Sequence, residues 1–462
     1  MNRLRQYEEK ARADVLALWA RGVRRVLLVM PTGGGKTVVA ADIIRDESGP
    51  VLFLAHRREL IDQAVERLVE LGVPREDIGV IMRDDARTNP TARIQVASVA
   101  TLHRRALPPA GLVVVDEAHH AVTGEGKRGA QMYAKILPGY PEARVLGLTA
   151  TPERLDGKGL RGSFDELQVA ATPSQLIEGG WISRPSVWTH PKQKAPELAG
   201  VRTSGGDYNV KDLARVVRKS VLVGDMVEHY RRRARGKPAV LFAVNRALSK
   251  RYVEAFGAAG IAAEHLDGET PVAERKAILA RLRSGKTKVV SNVGVLTEGW
   301  DASHVRCAIL ARPTKSLTLY LQMVGRILRP YVETRGRFVG QTLRPIVLDH
   351  AGNHSRHGLP EEDHAWSLDG RRKKRGGAPT TRACLICGAV MAFGAHECSE
   401  CGTVFPVDRA PAEQEGELRE VRPLSPEERE AQLGKIVAFA ERSGARNPRA
   451  FAQRALEAGV RL

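Results

Sequence analysis

Val26-Leu27-Leu28-Val29-Met30-Pro31-Thr32-Gly33-Gly34-Gly35-Lys36-Thr37 is the stretch whose reading decides the fold. Its apolar run has the length of a buried strand, and Val38-Val39-Ala40-Ala41-Asp42-Ile43-Ile44 behind it reads as a helix. Strand, glycine turn, Lys-Thr and helix together make a phosphate-binding loop. Glycines let backbone N–H groups close on phosphates, and the helix N-terminus adds its dipole. Thr32, Gly33, Gly34 and Gly35 would form the cradle, Lys36 would neutralise the β- and γ-phosphates, and Thr37 would ligate Mg²⁺. The full Gly-x-x-x-x-Gly-Lys-Thr pattern has glycine at position 30, where this chain has Met30. Alone, the stretch could equally be a chance glycine turn.

A second site decides between these readings. Leu112-Val113-Val114-Val115 runs directly into Asp116-Glu117-Ala118-His119. A buried strand that ends in carboxylates delivers them to the rim of the sheet where open α/β folds bind ligands. Asp116 is the candidate Mg²⁺ ligand, and Glu117 the base that orients and deprotonates an attacking water. Together the two sites describe a chain that hydrolyses a nucleoside triphosphate.

Composition narrows the partner. The 462 residues suffice for two or three domains, with 43% hydrophobic and 27% charged residues as in ordinary soluble proteins. The 72 basic against 53 acidic residues leave a net charge of +19. That excess favours a polyanion, nucleic acid first. A membrane is not expected: no apolar run approaches the ~20 residues of a spanning helix, and residues 1–6 have no signal-peptide core. The cytoplasm is the expected compartment. Four of the five cysteines form two Cys-x-x-Cys pairs, which under reducing conditions points to metal.

Strand and helix patterns alternate along the chain. Residues 7–21 have helical apolar spacing, Val51–Ala55 and Ile94–Ala97 read as strands, and Val145-Leu146-Gly147-Leu148 leads into Thr149-Ala150-Thr151-Pro152. Such alternation predicts a parallel, doubly wound sheet. A glycine- and proline-bearing hinge separates it from a second α/β pattern, with strands at Ala239–Ala243 and Val289–Asn292 and a helix over 320–329. Gln322, Arg326 and Arg329 share one face of that helix.

The order Gly-Lys-Thr, Leu54-Ala55-His56-Arg57, Ser98-Val99-Ala100-Thr101-Leu102, Asp-Glu-Ala-His and Leu148-Thr149-Ala150-Thr151-Pro152 resembles the superfamily 2 helicases of the DEAD/DEAH-box type. The resemblance spans roughly residues 4–353. Within it, residues 292–299, Arg312-Pro313-Thr314 and Leu348-Asp349-His350-Ala351-Gly352-Asn353 look most like the RadD branch of bacterial DNA-repair proteins. It implies two tandem RecA-like domains that bind ATP between them. His119 and Gln322 would join the catalytic set, and Arg326 and Arg329, in a Gln-x-x-Gly-Arg-x-x-Arg motif, would reach the γ-phosphate from the second domain. Gly299 and Asp301 would sense the nucleotide, and Thr149 and Thr151 would couple the domains. His56, Arg57, Ser98, Thr101 and Thr297 would face a nucleic-acid strand. One departure stands out: where the family often has glutamine after the tyrosine of Leu4-Arg5-Gln6-Tyr7, this chain has Glu8.

Beyond the motor, Arg371-Arg372-Lys373-Lys374-Arg375 is either a solvated linker or a nucleic-acid grip. Cys384, Cys387, Cys398 and Cys401 suit a tetrahedral, structural Zn²⁺, with a redox pair as the alternative. Ser425-Pro426-Glu427-Glu428 caps a helix to about Ser443, which could dock on the core or bind a protein partner. The expected domains are 1–190, a hinge at 191–225, 226–360, a basic linker at 361–383, a zinc-ribbon-like module at 384–404 and a helical tail at 405–462. The expected function is an ATP-dependent motor on nucleic acid, DNA before RNA, serving repair or recombination. The alternatives are a non-motor nucleic-acid-binding scaffold with a vestigial ATP site, an RNA helicase and a restriction-type motor subunit.

Overall fold

A computed structural model describes residues 4–121, 128–154, 156–189, 198–219, 222–297, 299–300, 303–331, 343–370, 380–405, 426–442 and 449. It divides into two compact units, residues 1–405 and 406–462. Two sheets build the larger unit.

The first sheet holds β1 (Arg25–Val29), β2 (Val51–Ala55), β3 (Ile78–Ile81), β4 (Ile94–Ser98), β5 (Leu112–Val115), β6 (Arg144–Thr149) and β7 (Glu166–Val169), in the order β3-β4-β2-β5-β6-β1-β7. Every pairing is parallel. Apolar runs suit it because both faces are covered. Val26 and Leu28 join the core on one face with Phe53 and Val114, while Leu27 and Val29 join Leu52 and Val113 on the other. Helix Gln6–Ala20 buries Ala11, Val15, Leu18 and Trp19 against the first of these cores. The strand order sets β6 between β1 and β5. The glycine loop after β1, Thr149 at the end of β6 and Asp116-Glu117 after β5 therefore emerge side by side.

The second sheet contains β8 (Ser186–Trp188), then, after a small hairpin of β9 (Thr203–Ser204) and β10 (Asp207–Tyr208), β11 (Ala239–Phe242), β12 (Ala263–Leu266), β13 (Val289–Asn292), β14 (Cys307–Leu310), β15 (Ile346–Asp349), β16 (Thr381–Ala383) and β17 (Ala389–Ala392). Its order is β12-β13-β11-β14-β15-β8-β17-β16. The strands from β12 to β8 are parallel, and β17 and β16 extend the sheet antiparallel.

Three expected boundaries shift. Ser186–Trp188 lies inside the expected first domain yet pairs with β15 of the second, so the chain crosses between domains before the expected hinge. The four-cysteine module is joined to the second domain: its β17 pairs with β8 and covers what would otherwise be an open sheet edge. The segment at 361–370 is no free linker. Leu368 is buried in the first domain's core, its carbonyl accepts from Leu160 N at 2.7 Å, and Asp369 pairs with Arg161 at 2.9 Å. A strap thus returns from the second domain to the first. The basic run 371–375 lies outside the described residues. In the smaller unit a helix spans Pro426–Arg442, and its expected cap Ser425 lies outside the described residues. Among the described residues no helix is long and apolar enough to cross a membrane.

Candidate nucleotide and nucleic-acid site

The glycine loop is built for close approach. Gly33 and Gly35 take φ of +87° and +102°, a left-handed backbone that favours glycine. Helix Lys36–Asp46 starts immediately after Gly35, so its free N–H groups point into the loop. Met30, in the place of the family glycine, is fully buried, and its side chain fills the space under Gly34, where a Cβ would lie 2.7 Å from Met30 Cγ. The substitution packs the loop from below and leaves the cradle open. Lys36 Nζ donates to Met30 O at 3.1 Å. Burial pushes the Lys36 ammonium below the ordinary lysine value; Glu117 and Asp116 oppose that, and Arg326 and Arg329 add to it. A bound polyphosphate would relieve this clustering of positive charge.

Asp116 is buried, and its Oδ1 accepts from Glu117 N at 2.9 Å. Glu117 has φ +47°, a strained value for a non-glycine residue, which turns its side chain off the end of β5. Glu117 Oε2 is buried and accepts no hydrogen bond, with His119 Nδ1 the facing group at 3.4 Å. His119 Nδ1 also lies 3.2 Å from Thr149 Oγ1, and its Nε2 lies 3.3 Å from Gln322 Nε2. Thr149 Oγ1 already donates to Thr151 O at 2.7 Å, so His119 carries its proton on Nδ1 and accepts from Gln322 through Nε2. One imidazole thereby joins the first domain's acidic site to the second domain.

From the second domain, Arg326 is buried, with Nε donating to Thr297 O at 2.9 Å and an Nη donating to Trp300 O at 3.2 Å. Arg329 lies across the glycine loop: a Cβ at Gly33 would sit 3.3 Å from Arg329 Cγ. Gly325 packs on Thr32 so closely that a Cβ there would come within 2.6 Å of Thr32 Cβ. Gly299 O accepts from Gln63 at 2.8 Å. Asp301 lies outside the described residues. Thr37 is half-buried at the loop.

Residue types alone did not point to the N-terminal cluster over the loop. Tyr7 hydroxyl donates to Gly34 O at 2.8 Å, and any side chain at Gly35 would collide with the buried Glu8 carboxylate. Arg5 N donates to Glu8 at 2.9 Å, and the Arg5 guanidinium stacks 4.4 Å over Trp181. Gln6 is exposed. The available signal was the Leu-Arg-x-Tyr segment, whose place in the tertiary structure the sequence could not give.

The residues expected to face a strand divide. His56, Arg57 and Thr297 line an interdomain cavity of about 550 Å³ together with His120, Lys211 and Arg312. Arg57 also donates to Val295 O at 2.9 Å, which gives it a role in joining the domains. Ser98 is buried, and neither it nor Thr101 lines this cavity.

The two segments are matched by family models, residues 2–154 by the res subunit of type III restriction enzymes and residues 220–331 by the helicase conserved C-terminal domain. A 51.5 kDa protein of a Lactococcus phage is 31% identical over 83% of this chain and 78% of its own length. IRC3 of Saccharomyces cerevisiae, an ATP-dependent helicase by name, is 29% identical over 71% of this chain, which spans about half of that relative's length (49%). Among solved structures, a fragment of an HsdR-type subunit of a type I restriction enzyme from Vibrio vulnificus superposes with TM-score 0.57 at 19% identity, over 78% of this chain and 67% of the fragment. Dbp5 of Saccharomyces cerevisiae, bound to RNA and ADP BeF3, gives 0.52 at 16% identity over 74% of this chain and 82% of its own. The chain belongs to the superfamily 2 helicases, a family of ATP-dependent nucleic-acid motors.

Proposed function

We propose that this chain hydrolyses ATP in the cleft between its two sheets and converts the cycle into movement along nucleic acid, DNA in preference to RNA. The observation that carries the proposal is the meeting of Lys36, the buried Glu117 oxygen that accepts no hydrogen bond and the arginines of the second domain at one glycine loop. Loop amides and Lys36 hold the phosphates, Arg326 and Arg329 take up charge developing on the γ-phosphoryl group, and Glu117 accepts a proton from the attacking water. Thr37 and Asp116 offer the hard oxygen donors that Mg²⁺ prefers, and the ion would neutralise phosphate charge there. His119 and Gln322 would pass occupancy of this site to the second domain.

DNA is favoured because named relatives include a type I restriction endonuclease subunit and a DNA 3'-5' translocase. A repair or recombination role of the RadD kind rests on the motifs at 292–299, 312–314 and 348–353. A restriction-type motor subunit is the second reading, favoured by the res-subunit match over 2–154. ATP turnover titrated in parallel with single-stranded DNA, duplex DNA and RNA tests the proposal. DNA should stimulate turnover most; absent turnover, or stronger stimulation by RNA, would overturn it.

We also assign a structural Zn²⁺ to the four cysteines. Cys384 and Cys401 Sγ lie 3.7 Å apart, Cys387 and Cys398 Sγ 3.6 Å, and all four fall within 4.8 Å of one another. A tetrahedral ion with Zn–S of about 2.3 Å requires S···S separations of about 3.8 Å, so the thiolates fit. Four sulfurs leave no position for water chemistry. Since β17 sits between the cysteine pairs and Thr189 N donates to Gly388 O at 2.9 Å, metal loss should loosen the edge of the second sheet. Chelation should lower the melting temperature and speed amide exchange in residues 186–189. Unchanged exchange there, or no zinc by elemental analysis, would remove the assignment. The same reduced thiols favour the cytoplasm as the compartment.

A further inference from the structure

Strands β11, β12 and β13 run parallel, and the loop carrying Thr297 and Gly299 follows the C-terminal end of β13. Their N-terminal ends open on a different pocket, of about 610 Å³. Each strand has four residues, so the two rims stand about 13 Å apart through the sheet. The turns that feed the strands form the pocket walls: Arg235 and Gly236 before β11, residues 259–262 before β12, and Lys286 and Lys288 before β13. Tyr230 and Arg231 reach it from helix Leu222–Ala234.

Four cations line this pocket, Arg231, Arg235, Lys286 and Lys288, and no carboxylate does. Among the described residues none of the four is ion-paired, whereas neighbouring Arg232 pairs with Glu228 and Arg281 with Glu264. Arg231 donates instead to Ala259 O at 2.6 Å. Helix ends explain only part of the clustering. Helices Leu222–Ala234, Arg246–Ala258 and Val272–Arg283 all finish beside the pocket, and each C-terminus carries about half a negative charge. Three such partial charges offset less than half of four full ones. The surplus leaves the pocket net positive, a field that attracts an external anion.

We propose that this pocket is a second nucleic-acid contact, taking phosphodiester groups of a strand outside the interdomain cleft. The proposal rests on the reading of the chain as a nucleic-acid motor and adds a site on the opposite rim from the motor motifs. A strand fits better than a single phosphate for two reasons. The cations come from two separate turns and the last turn of helix Leu222–Ala234, spread around a wide opening. The helix ends beside them present carbonyls, whereas a site for one small anion is built from convergent N–H groups. Long basic side chains without amide donors hold a polyanion by charge and read no sequence.

The test uses the full chain with Arg235→Ala, Lys286→Ala and Lys288→Ala combined, beside a matched control with Lys10→Ala, Arg21→Ala and Arg83→Ala on the first domain. Affinity for a fluorescent single-stranded oligonucleotide is measured at several salt concentrations. The pocket variant should bind at least ~10-fold more weakly at low salt, with its log–log salt slope flatter by about 0.7 for each phosphate no longer neutralised. The control should match the wild type. Equal slopes for the pocket variant and control would overturn the proposal while leaving the motor reading intact; a wild-type chain that bound no strand would overturn both. Acetylation footprinting of the unmodified protein gives an independent readout. Lys286 and Lys288 should be protected by the oligonucleotide and stay reactive in inorganic phosphate at the same phosphate concentration. Equal protection by inorganic phosphate would make this a small-anion site and overturn the strand assignment.

Discussion

Glu117→Gln is expected to bind ATP and hydrolyse it at least ~100-fold more slowly than the wild type, in line with loss of a positioned general base. The substitution keeps the shape of the side chain and removes its negative charge, and with it the ability to take a proton. Glu117 is held off the end of β5 by a strained backbone, with Oε2 buried and without a hydrogen bond, so the oxygen has no structural bond to lose. The phosphate cradle of Gly33, Gly35 and Lys36 is untouched, which separates binding from chemistry. Single-turnover phosphate release at saturating ATP and DNA, paired with titration of a fluorescent ATP analogue, measures both. Hydrolysis at the wild-type rate would refute the base role.

Removing either arginine of the second domain should cost about as much or more. Arg326→Ala and Arg329→Ala are each expected to lower the turnover number by ~10³-fold, with a smaller change in ATP affinity. The two should then part in stability. Arg326 is buried and ties the carbonyls of Thr297 and Trp300, so its loss leaves buried acceptors unsatisfied and should lower the melting temperature. Arg329 lies half-exposed across Gly33, so its removal uncovers less buried surface and should lower the melting temperature less. A normal turnover number for Arg329→Ala at saturating ATP and DNA would show that its place over the loop is incidental.

Much of the site was legible in the sequence because each motif is a local device. A short apolar run, a glycine turn and a helix start fix the loop around Lys36 whatever the rest of the chain does. Leu112–Val115 delivers Asp116 and Glu117 in the same local manner. Met30 departs from the loop pattern, and its packing under Gly34 shows how the cradle tolerates it. Arg57 read as a strand contact from its motif, yet its bond to Val295 O depends on a partner far along the chain. The four-cation pocket had no signature, because its cations come from one helix end and two turns with no common spacing.

The sequence by itself determined the two α/β patterns, the chemistry at the strand ends and the four thiols, since these follow from hydrophobic period and side-chain type within a few residues. Only the tertiary structure decided that β8 crosses into the second sheet, that β17 closes its edge and that residues 361–370 strap back onto the first domain. It alone set Arg329 over Gly33 and Gln322 against His119. The physical reason is range. Backbone preference and side-chain chemistry act between neighbours, whereas the pairing of sheet edges and the closing of a cleft depend on which buried surfaces meet. That is settled by packing the whole core at once.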